Sequence, residues 1–190
     1  MHEDGRSKKI ALISHCMLNQ NAKVYGLARY PAQVAGIADI LADYDYSIIQ
    51  MPCPEMMAAG LRRWGAVREQ YNCYGYRSRY QELASFVVDQ VMDYAEEGYE
   101  IILVGVDGSP SCGVDLTESH LNWGGSMMFY DEIDTPRDMP TEPGVFVTLI
   151  IKEFESRGLA APRAIGLPLD ADDGAWDEGV LRDFLAKKVQ

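Results

Sequence analysis

The sequence lacks a surplus of positive charge. Lys and Arg number 17 against 29 Asp and Glu, which gives a formal net charge of −12 with the histidines neutral. Binding to a phosphate backbone requires clustered cations, so we expect no nucleic-acid polymer as a partner. The densest basic stretch, LRRWGAVR, is short, and it is interpreted as a solvated surface or as the anchor for one small anion.

Long hydrophobic runs are also missing. The longest apolar runs, such as VFVTLII, are far too short to span a bilayer. The start of the chain, MHEDGRSKKIALIS, carries acidic residues ahead of basic ones and has no small-residue cleavage site. We therefore expect no membrane partner, a flexible tail over residues 1–7 and a location in the cytoplasm; the oligomeric state is left open.

Cysteine is scarce, with four residues in 190, and no two of them form a Cys-x-x-Cys pair. A hydrophobic content of 47% provides a core that needs no disulfides, so we expect reduced thiols. A closed structural zinc site is usually built from paired Cys-x-x-Cys knuckles, and the sequence offers none.

Four β-type apolar runs alternate with helical patterns. The strands are predicted over residues 8–14, 46–51, 99–106 and 163–169, and the helices after Pro31, over residues 83–98 and 145–158, and from Val180 to Lys188. This alternation predicts a small three-layer α/β domain, Rossmann-like or flavodoxin-like, with a mostly parallel sheet. We expect one domain over residues 1–190, with a lid or irregular excursion over residues 113–143.

Three cysteines follow predicted strands. Cys16, Cys53 and Cys112 each lie within a few residues of a strand end. The loops after parallel strands emerge at the carboxyl edge of the sheet, where ligands bind in such folds. Three thiolates there suit zinc or an iron–sulfur cluster, and a cluster held by only three cysteines leaves one iron open as a Lewis acid. The alternative is a set of unrelated buried thiols.

The residues around these cysteines add detail. In PCPE, Glu55 lies two residues after Cys53 and can donate or accept a proton, unless it is an ordinary helix cap or surface carboxylate. In GSPSCG, glycines on both sides of Cys112 let the backbone approach a bulky ligand. Asn19 is a candidate for contact with a base edge, although Asn is equally common in turns.

The three cysteine segments together resemble the 2-thiouracil desulfurase family, specifically its desulfurase-related desulfidases. The matching blocks are SHCMLNQN, QMPCPE and GVDGSPSCGV, within residues 8–117. The resemblance implies a [4Fe-4S] cluster held by Cys16, Cys53 and Cys112, with one open iron that captures the sulfur of a thiolated substrate. It further implies a non-redox reaction in which water replaces that sulfur and sulfide is released.

The same resemblance assigns roles to the polar residues. Glu55 becomes the proton shuttle and Ser109 positions water or substrate, with Ser111 as a second candidate for that position. The sequence departs from the family pattern at His15, at Tyr25 and in AAGLRRWG. Because these positions are expected to shape the pocket, the expected substrate is a thiolated nucleobase or a similar small thioamide.

Two residues keep open interpretations. An extended backbone would point His15 away from its neighbour Cys16, which favours a hydrogen-bonding role for His15. Cys73 follows no predicted strand and is expected to be a buried or semi-buried thiol, and it is the one candidate for a fourth ligand. Two other function classes also remain: a non-catalytic iron–sulfur or sulfur carrier, and a zinc or metal-free small-molecule-binding domain.

Overall fold

The computed structural model describes residues 4–126, 138–169 and 176–187. Its centre is an all-parallel sheet of four strands in the order β2-β1-β3-β4. The strands are β1 (Lys9–Ile13), β2 (Ser47–Gln50), β3 (Glu100–Val106) and β4 (Arg163–Leu167). The predicted parallel sheet is confirmed, and each strand lies inside its predicted run.

Helices cover both faces of this sheet. They are α1 (His15–Leu18), α2 (Ile37–Asp43), α3 (Pro54–Ala59), α4 (Arg68–Tyr71), α5 (Tyr74–Asp89), α6 (Met92–Glu96), α7 (Val145–Ser156) and α8 (Glu178–Ala186), with a 3-10 turn at Gln20–Ala22. Helices α2 and α8 contact each other over one face, and α5 packs against α7 over the other. The predicted three-layer architecture is therefore confirmed.

The central strands show why the sheet needs two helical layers. Along β1, Ile10 and Leu12 point into the core beneath α5 and α7, whereas Ala11 and Ile13 point into the core beneath α2 and α8. Because successive side chains alternate between faces, a strand buried on both faces reads as a continuous apolar run. Strand β3 follows the same rule.

Two helical patterns begin or end elsewhere than predicted. The helix expected after Pro31 starts at Ile37, because the preceding residues form a loop that ends at Gly36 with a left-handed φ of 75°. The helix expected over residues 83–98 begins earlier, at Tyr74, and is interrupted before α6. Phe86 fits the apolar spacing of this helix but is 56% exposed, so the buried face of the helix is narrower than its apolar spacing indicates.

The strand order creates one switch point. The chain leaves β1 toward β2 on one side and later returns to β3 on the other side. Such a reversal opens a crevice at the carboxyl ends of the two central strands. The segments that follow β1 and β3 carry Cys16 and Cys112.

The predicted excursion lies only partly within the described residues. Residues 113–126 and 138–143 contain no helix or strand beyond the isolated bridges Gly108–Thr117 and Ser119–Asp138. The rest of the excursion, residues 127–137, lies outside the described part of the chain, as do residues 1–3 of the predicted tail. None of the described helices is long and apolar enough to cross a membrane.

Candidate active site

A cavity of about 1250 Å³ lies at the carboxyl edge of the sheet. Cys16, Cys53 and Cys112 all line it. This volume is somewhat above the usual range for small-molecule sites, about 300–1,000 Å³. The cavity occupies the crevice expected from the strand order. The structure thus brings the three cysteines that follow strands to one cavity.

Each cysteine is held by local backbone structure. Cys16 lies in α1, and its carbonyl oxygen accepts a hydrogen bond (2.7 Å) from the side-chain amide of Gln20. Cys53 is the N-cap of α3, where its Sγ accepts the N–H of Met56 at 3.4 Å. Cys112 is buried in the turn after β3, and its carbonyl oxygen accepts the N–H of Val106 at 2.9 Å.

The thiols influence one another electrostatically. Burial raises the pKa of Cys112 well above its ordinary value, and the neighbouring Cys53 and Cys16 raise it further. Burial and then the charge of Glu55 raise the pKa of Cys53. Protonated thiols are therefore favoured in the unloaded protein, and a bound cationic centre would offset that cost by stabilising thiolates. The donor set is soft and fits iron or zinc.

A metal site needs suitable donor atoms and also an arrangement of those atoms around the ion. Among the described residues, no group of three or more His, Cys, Asp or Glu side chains is arranged to hold a metal ion. A zinc ion needs its ligands around a single point. In a four-iron cluster each cysteine binds a different iron, and ligation by Cys16, Cys53 and Cys112 stays a prediction.

A buried carboxylate lies beside the cysteines. Glu55 is 8% exposed, in the first turn of α3. Its Oε1 accepts the hydroxyl of Ser111 at 2.6 Å, and its Oε2 accepts Nε of Arg63 at 3.0 Å. Both oxygens are thus fixed by protein donors, so the interpretation of Glu55 as a surface carboxylate does not apply.

The two serines form a directed chain with this carboxylate. Ser111 donates its one hydroxyl proton to Glu55, so in the 3.3 Å contact between the serine oxygens Ser109 is the donor. Ser109 Oγ also accepts the N–H of Cys112 at 3.0 Å. Hydroxyl protons therefore point from Ser109 through Ser111 to Glu55, and Ser111 rather than Ser109 contacts the carboxylate.

Asp107 shapes the loop that carries Cys112, and sequence reasoning missed it. Its Oδ1 accepts the backbone N–H groups of Val114, Asp115 and Leu116 at 3.0, 3.0 and 3.2 Å. An Asp directly after a buried strand and before a turn was the available signal. These bonds fold residues 107–117 back onto the end of β3.

The glycines of this loop serve the loop itself. A Cβ on Gly113 would lie 2.1 Å from the carbonyl oxygen of Leu116 and 2.8 Å from that of Ser109. Gly108 has a φ of 85°, which other residues rarely adopt. The expectation that both glycines make room for a ligand is corrected at Gly113, where the close neighbour is the chain's own backbone.

Several predicted residues lie away from the cavity. Asn19 is not among its described lining residues, and its side chain accepts the N–H of Asn21 at 3.2 Å as a local cap. His15 begins α1, so the extended backbone assumed for it is wrong; its Nε2 lies 3.3 Å from the Asn19 amide, which agrees with a hydrogen-bonding role. Cys73 is exposed rather than buried and does not line the cavity.

The mouth of the cavity is rich in aromatic rings. Tyr25 is 96% exposed, Trp64 is 72% exposed, and both line the cavity together with the half-buried Trp123. Rings that are exposed at a cavity can stack on a planar ligand. Tyr25, where the sequence departs from the family pattern, is thus an exposed residue of the cavity lining.

The fold and the cavity define a Rossmann-like α/β protein with a cysteine-lined site at its sheet edge. Residues 9–124 match the family described as "Putative 2-thiouracil desulfurase". The match spans more than half of the chain, and the protein belongs to this family.

Two individual proteins are also similar. One is "Uncharacterized protein MJ0003" from Methanocaldococcus jannaschii, 35% identical over 109 residues, which are 57% of this chain and 70% of that protein. The other is the solved structure of "[4Fe-4S]-dependent thiouracil desulfidase TudS", 18% identical, covering 83% of this chain and 89% of that one with a TM-score of 0.47.

Proposed function

We propose that the protein is an iron–sulfur-dependent, non-redox desulfidase that converts C=S to C=O in a small thiolated substrate. The observation that carries the proposal is the shared cavity of Cys16, Cys53 and Cys112, with Glu55 and Ser111 hydrogen-bonded beside them. Membership of the 2-thiouracil desulfurase family supports the reaction class.

The three cysteines would hold a [4Fe-4S] cluster through their thiolates. When bound, the cluster supplies a Lewis-acidic iron that draws electron density from the sulfur of the substrate. The overall reaction adds water and releases hydrogen sulfide, R₂C=S + H₂O → R₂C=O + H₂S. No electron is gained or lost by the substrate in this exchange, so no external reductant enters the reaction.

Proton transfer in the reaction would be carried out by Glu55, Ser111 and Ser109. Water attacking the thiocarbonyl carbon gives a proton to Ser109, Ser109 passes its own to Ser111, and Ser111 passes its own to Glu55 Oε1. Glu55 would return that proton to the departing sulfur. The second proton of the water, left on the new C–OH group, would follow the same route as the carbonyl forms, so that both protons leave in hydrogen sulfide. Such a proton transfer contributes about 10²–10⁴-fold to rate. Asn19, occupied by its local turn, has no part in this proposal.

The cavity favours a small planar substrate with little negative charge. Its described lining is mainly apolar, and its cations are Lys23 and Arg63 against the acidic Glu55, Asp107 and Glu118. Arg63 is already paired with Glu55. A thiolated nucleobase or a similar small thioamide meets these conditions.

Sulfide release tests the proposal. Protein reconstituted with iron and sulfide under anaerobic conditions is incubated with 2-thiouracil, 4-thiouracil and other thiolated bases, and sulfide and the oxo product are quantified. Wild type should release sulfide, and Glu55→Gln should keep its iron content while losing activity. A loaded wild-type protein that releases no sulfide from any thiolated base would contradict the enzyme and favour the carrier.

A further inference from the structure

The side chain of Arg63 is buried at the cavity wall. It is only 5% exposed, although its sequence neighbour Arg62 is exposed. Sequence reasoning took this basic stretch for a solvated surface or an anion anchor. The anion that Arg63 contacts is the chain's own carboxylate, because Nε lies 3.0 Å from Glu55 Oε2.

The other two nitrogens of Arg63 bind backbone carbonyls of two different segments. Nη2 donates to the carbonyl of Ala22 at 2.8 Å, and Nη1 donates to the carbonyl of Gly60 at 3.3 Å. Ala22 ends the turn that follows Cys16, and Gly60 is the C-cap of α3, which Cys53 begins. One guanidinium therefore joins the segments that carry two of the cysteines.

The third cysteine segment is joined through Glu55. Ser111, adjacent to Cys112, donates to the carboxylate oxygen that Arg63 leaves unoccupied. The hydrogen bonds run without a break from Ala22 through Arg63 and Glu55 to Ser111. All three cysteine segments thus share one polar network.

We propose that Arg63 is a positioning residue that fixes the three cysteine segments relative to one another and presents one chosen oxygen of Glu55 to Ser111. The catalytic use of this arrangement rests on the proposed function. The hydrogen bonds themselves hold the three segments in the protein without a cluster as well. Arg63 contacts Oε2, and Oε1 is the oxygen that Ser111 contacts.

The chemistry of arginine suits this role. A guanidinium offers five N–H donors in a rigid planar fork, whereas a lysine offers one nitrogen that cannot reach three separated acceptors. A buried ion pair is costly to break from one side, since the remaining charge is left without compensation. Arg63 is therefore poorly replaced by Lys and very poorly by an apolar residue of similar length.

Thiol labelling tests the proposal without a cluster. Unloaded wild type, Arg63→Lys, Arg63→Met and the matched control Arg62→Met are alkylated with iodoacetamide, and each cysteine is followed by mass spectrometry. Labelling of the buried Cys112 reports opening of the site, and the exposed Cys73 is the internal control. We expect Cys112 to react at least about tenfold faster in Arg63→Met, because the substitution removes three hydrogen bonds and the loss of even one bond to a charged group corresponds to about that factor.

The loaded protein provides a second measurement. Iron release to a chelator should be faster in Arg63→Met, intermediate in Arg63→Lys and unchanged in Arg62→Met, and added guanidinium ion should slow the release in Arg63→Met. Equal Cys112 labelling in wild type and Arg63→Met would overturn the positioning role. Equal effects of the Arg62 and Arg63 substitutions would overturn it too, because they would indicate surface charge alone.

The labelling result also separates this inference from the proposed function. If wild type never holds iron but Arg63→Met still exposes Cys112, the positioning role stands and the desulfidase proposal fails. If loaded wild type releases sulfide and Arg63→Met behaves like wild type in both assays, the desulfidase proposal stands and the positioning role of Arg63 fails.

Discussion

Ser111 is the hydroxyl on which the proposed proton route depends, and Ser111→Ala tests this against Ser109→Ala. Ser111 is 1% exposed and donates to a buried carboxylate at 2.6 Å. A hydrogen bond to a charged group contributes about 1.5–3 kcal/mol to stability. For a chain of this size, Ser111→Ala should therefore lower the Tm of the unloaded protein by about 3–12 °C.

Ser109→Ala should lower both Tm and kcat less than Ser111→Ala does. The oxygen of Ser109 accepts neutral backbone N–H groups, each worth about 0.5–1.5 kcal/mol. Ser109 lines the cavity and is only half-buried, so a water molecule can take over its hydroxyl. Ser111 lines the same cavity but is 1% exposed and bonded to Glu55, so a water molecule replaces its hydroxyl less readily. Loaded Ser111→Ala should thus lose about 10²–10⁴-fold in kcat, and Ser109→Ala less.

The assay combines calorimetry of the unloaded variants with sulfide release by the loaded ones. Iron content per chain is measured for each variant, so that a lost cluster is not mistaken for a lost proton route. If Ser109→Ala costs more kcat than Ser111→Ala at equal iron content, the direction assigned to the serine chain is wrong.

Three further predictions follow from single contacts. Trp64→Ala should leave Tm unchanged, since the ring is exposed, but raise KM about 2- to 10-fold through lost stacking; an unchanged KM contradicts a role at the entrance. Asp107→Ala should cost at least about 1.5–3 kcal/mol in a denaturant titration, because three N–H groups lose their acceptor; wild-type stability would contradict this. Partial burial raises the pKa of Glu69, but hydrogen bonds from Ser119 and the N–H of His120 outweigh it and bring that pKa below 4.5. The ionised Glu69 therefore stabilises the folded protein above pH 4.5, and this stabilisation is lost as the pH falls through the lower pKa of the folded state. Hydrogen exchange at residues 117–120 should become faster in that low-pH range in wild type but not in Glu69→Gln.

The layered fold could be predicted because apolar periodicity reports burial directly. The continuous run of β3 required helices on both faces, and the structure has them. The boundaries of α2 and α5 could not be predicted in the same way. They depend on where the chain turns, as at Gly36, and periodicity does not encode that position.

The meeting of the three cysteines at one cavity could also be predicted, since parallel strands end at a common edge. The structural roles of Arg63 and Asp107 could not be predicted from the sequence. Arg63 acts through contacts with Ala22 and Glu55, which are 41 and 8 positions away in the chain. Such partners depend on tertiary packing, so a basic stretch in the sequence does not distinguish a buried guanidinium from the exposed one at Arg62.

Which of the two serines contacts Glu55 also depends on tertiary packing and could not be predicted from the sequence. Their motif presents both hydroxyls near Cys112, and the sequence favoured Ser109 by resemblance. Which of them reaches Glu55 depends on the turn that Asp107 and Gly113 impose. Both serines line the cavity, but that turn buries Ser111 and leaves Ser109 half-buried.

Iron and sulfide content after anaerobic reconstitution tests the central claim most directly. Wild type and Cys73→Ser should each bind about four irons and turn brown, whereas Cys16→Ser, Cys53→Ser and Cys112→Ser should each lose most of that iron. A colourless wild type, or a Cys73→Ser variant that loses iron as the other three do, would contradict a cluster held by the three cysteines at the sheet edge.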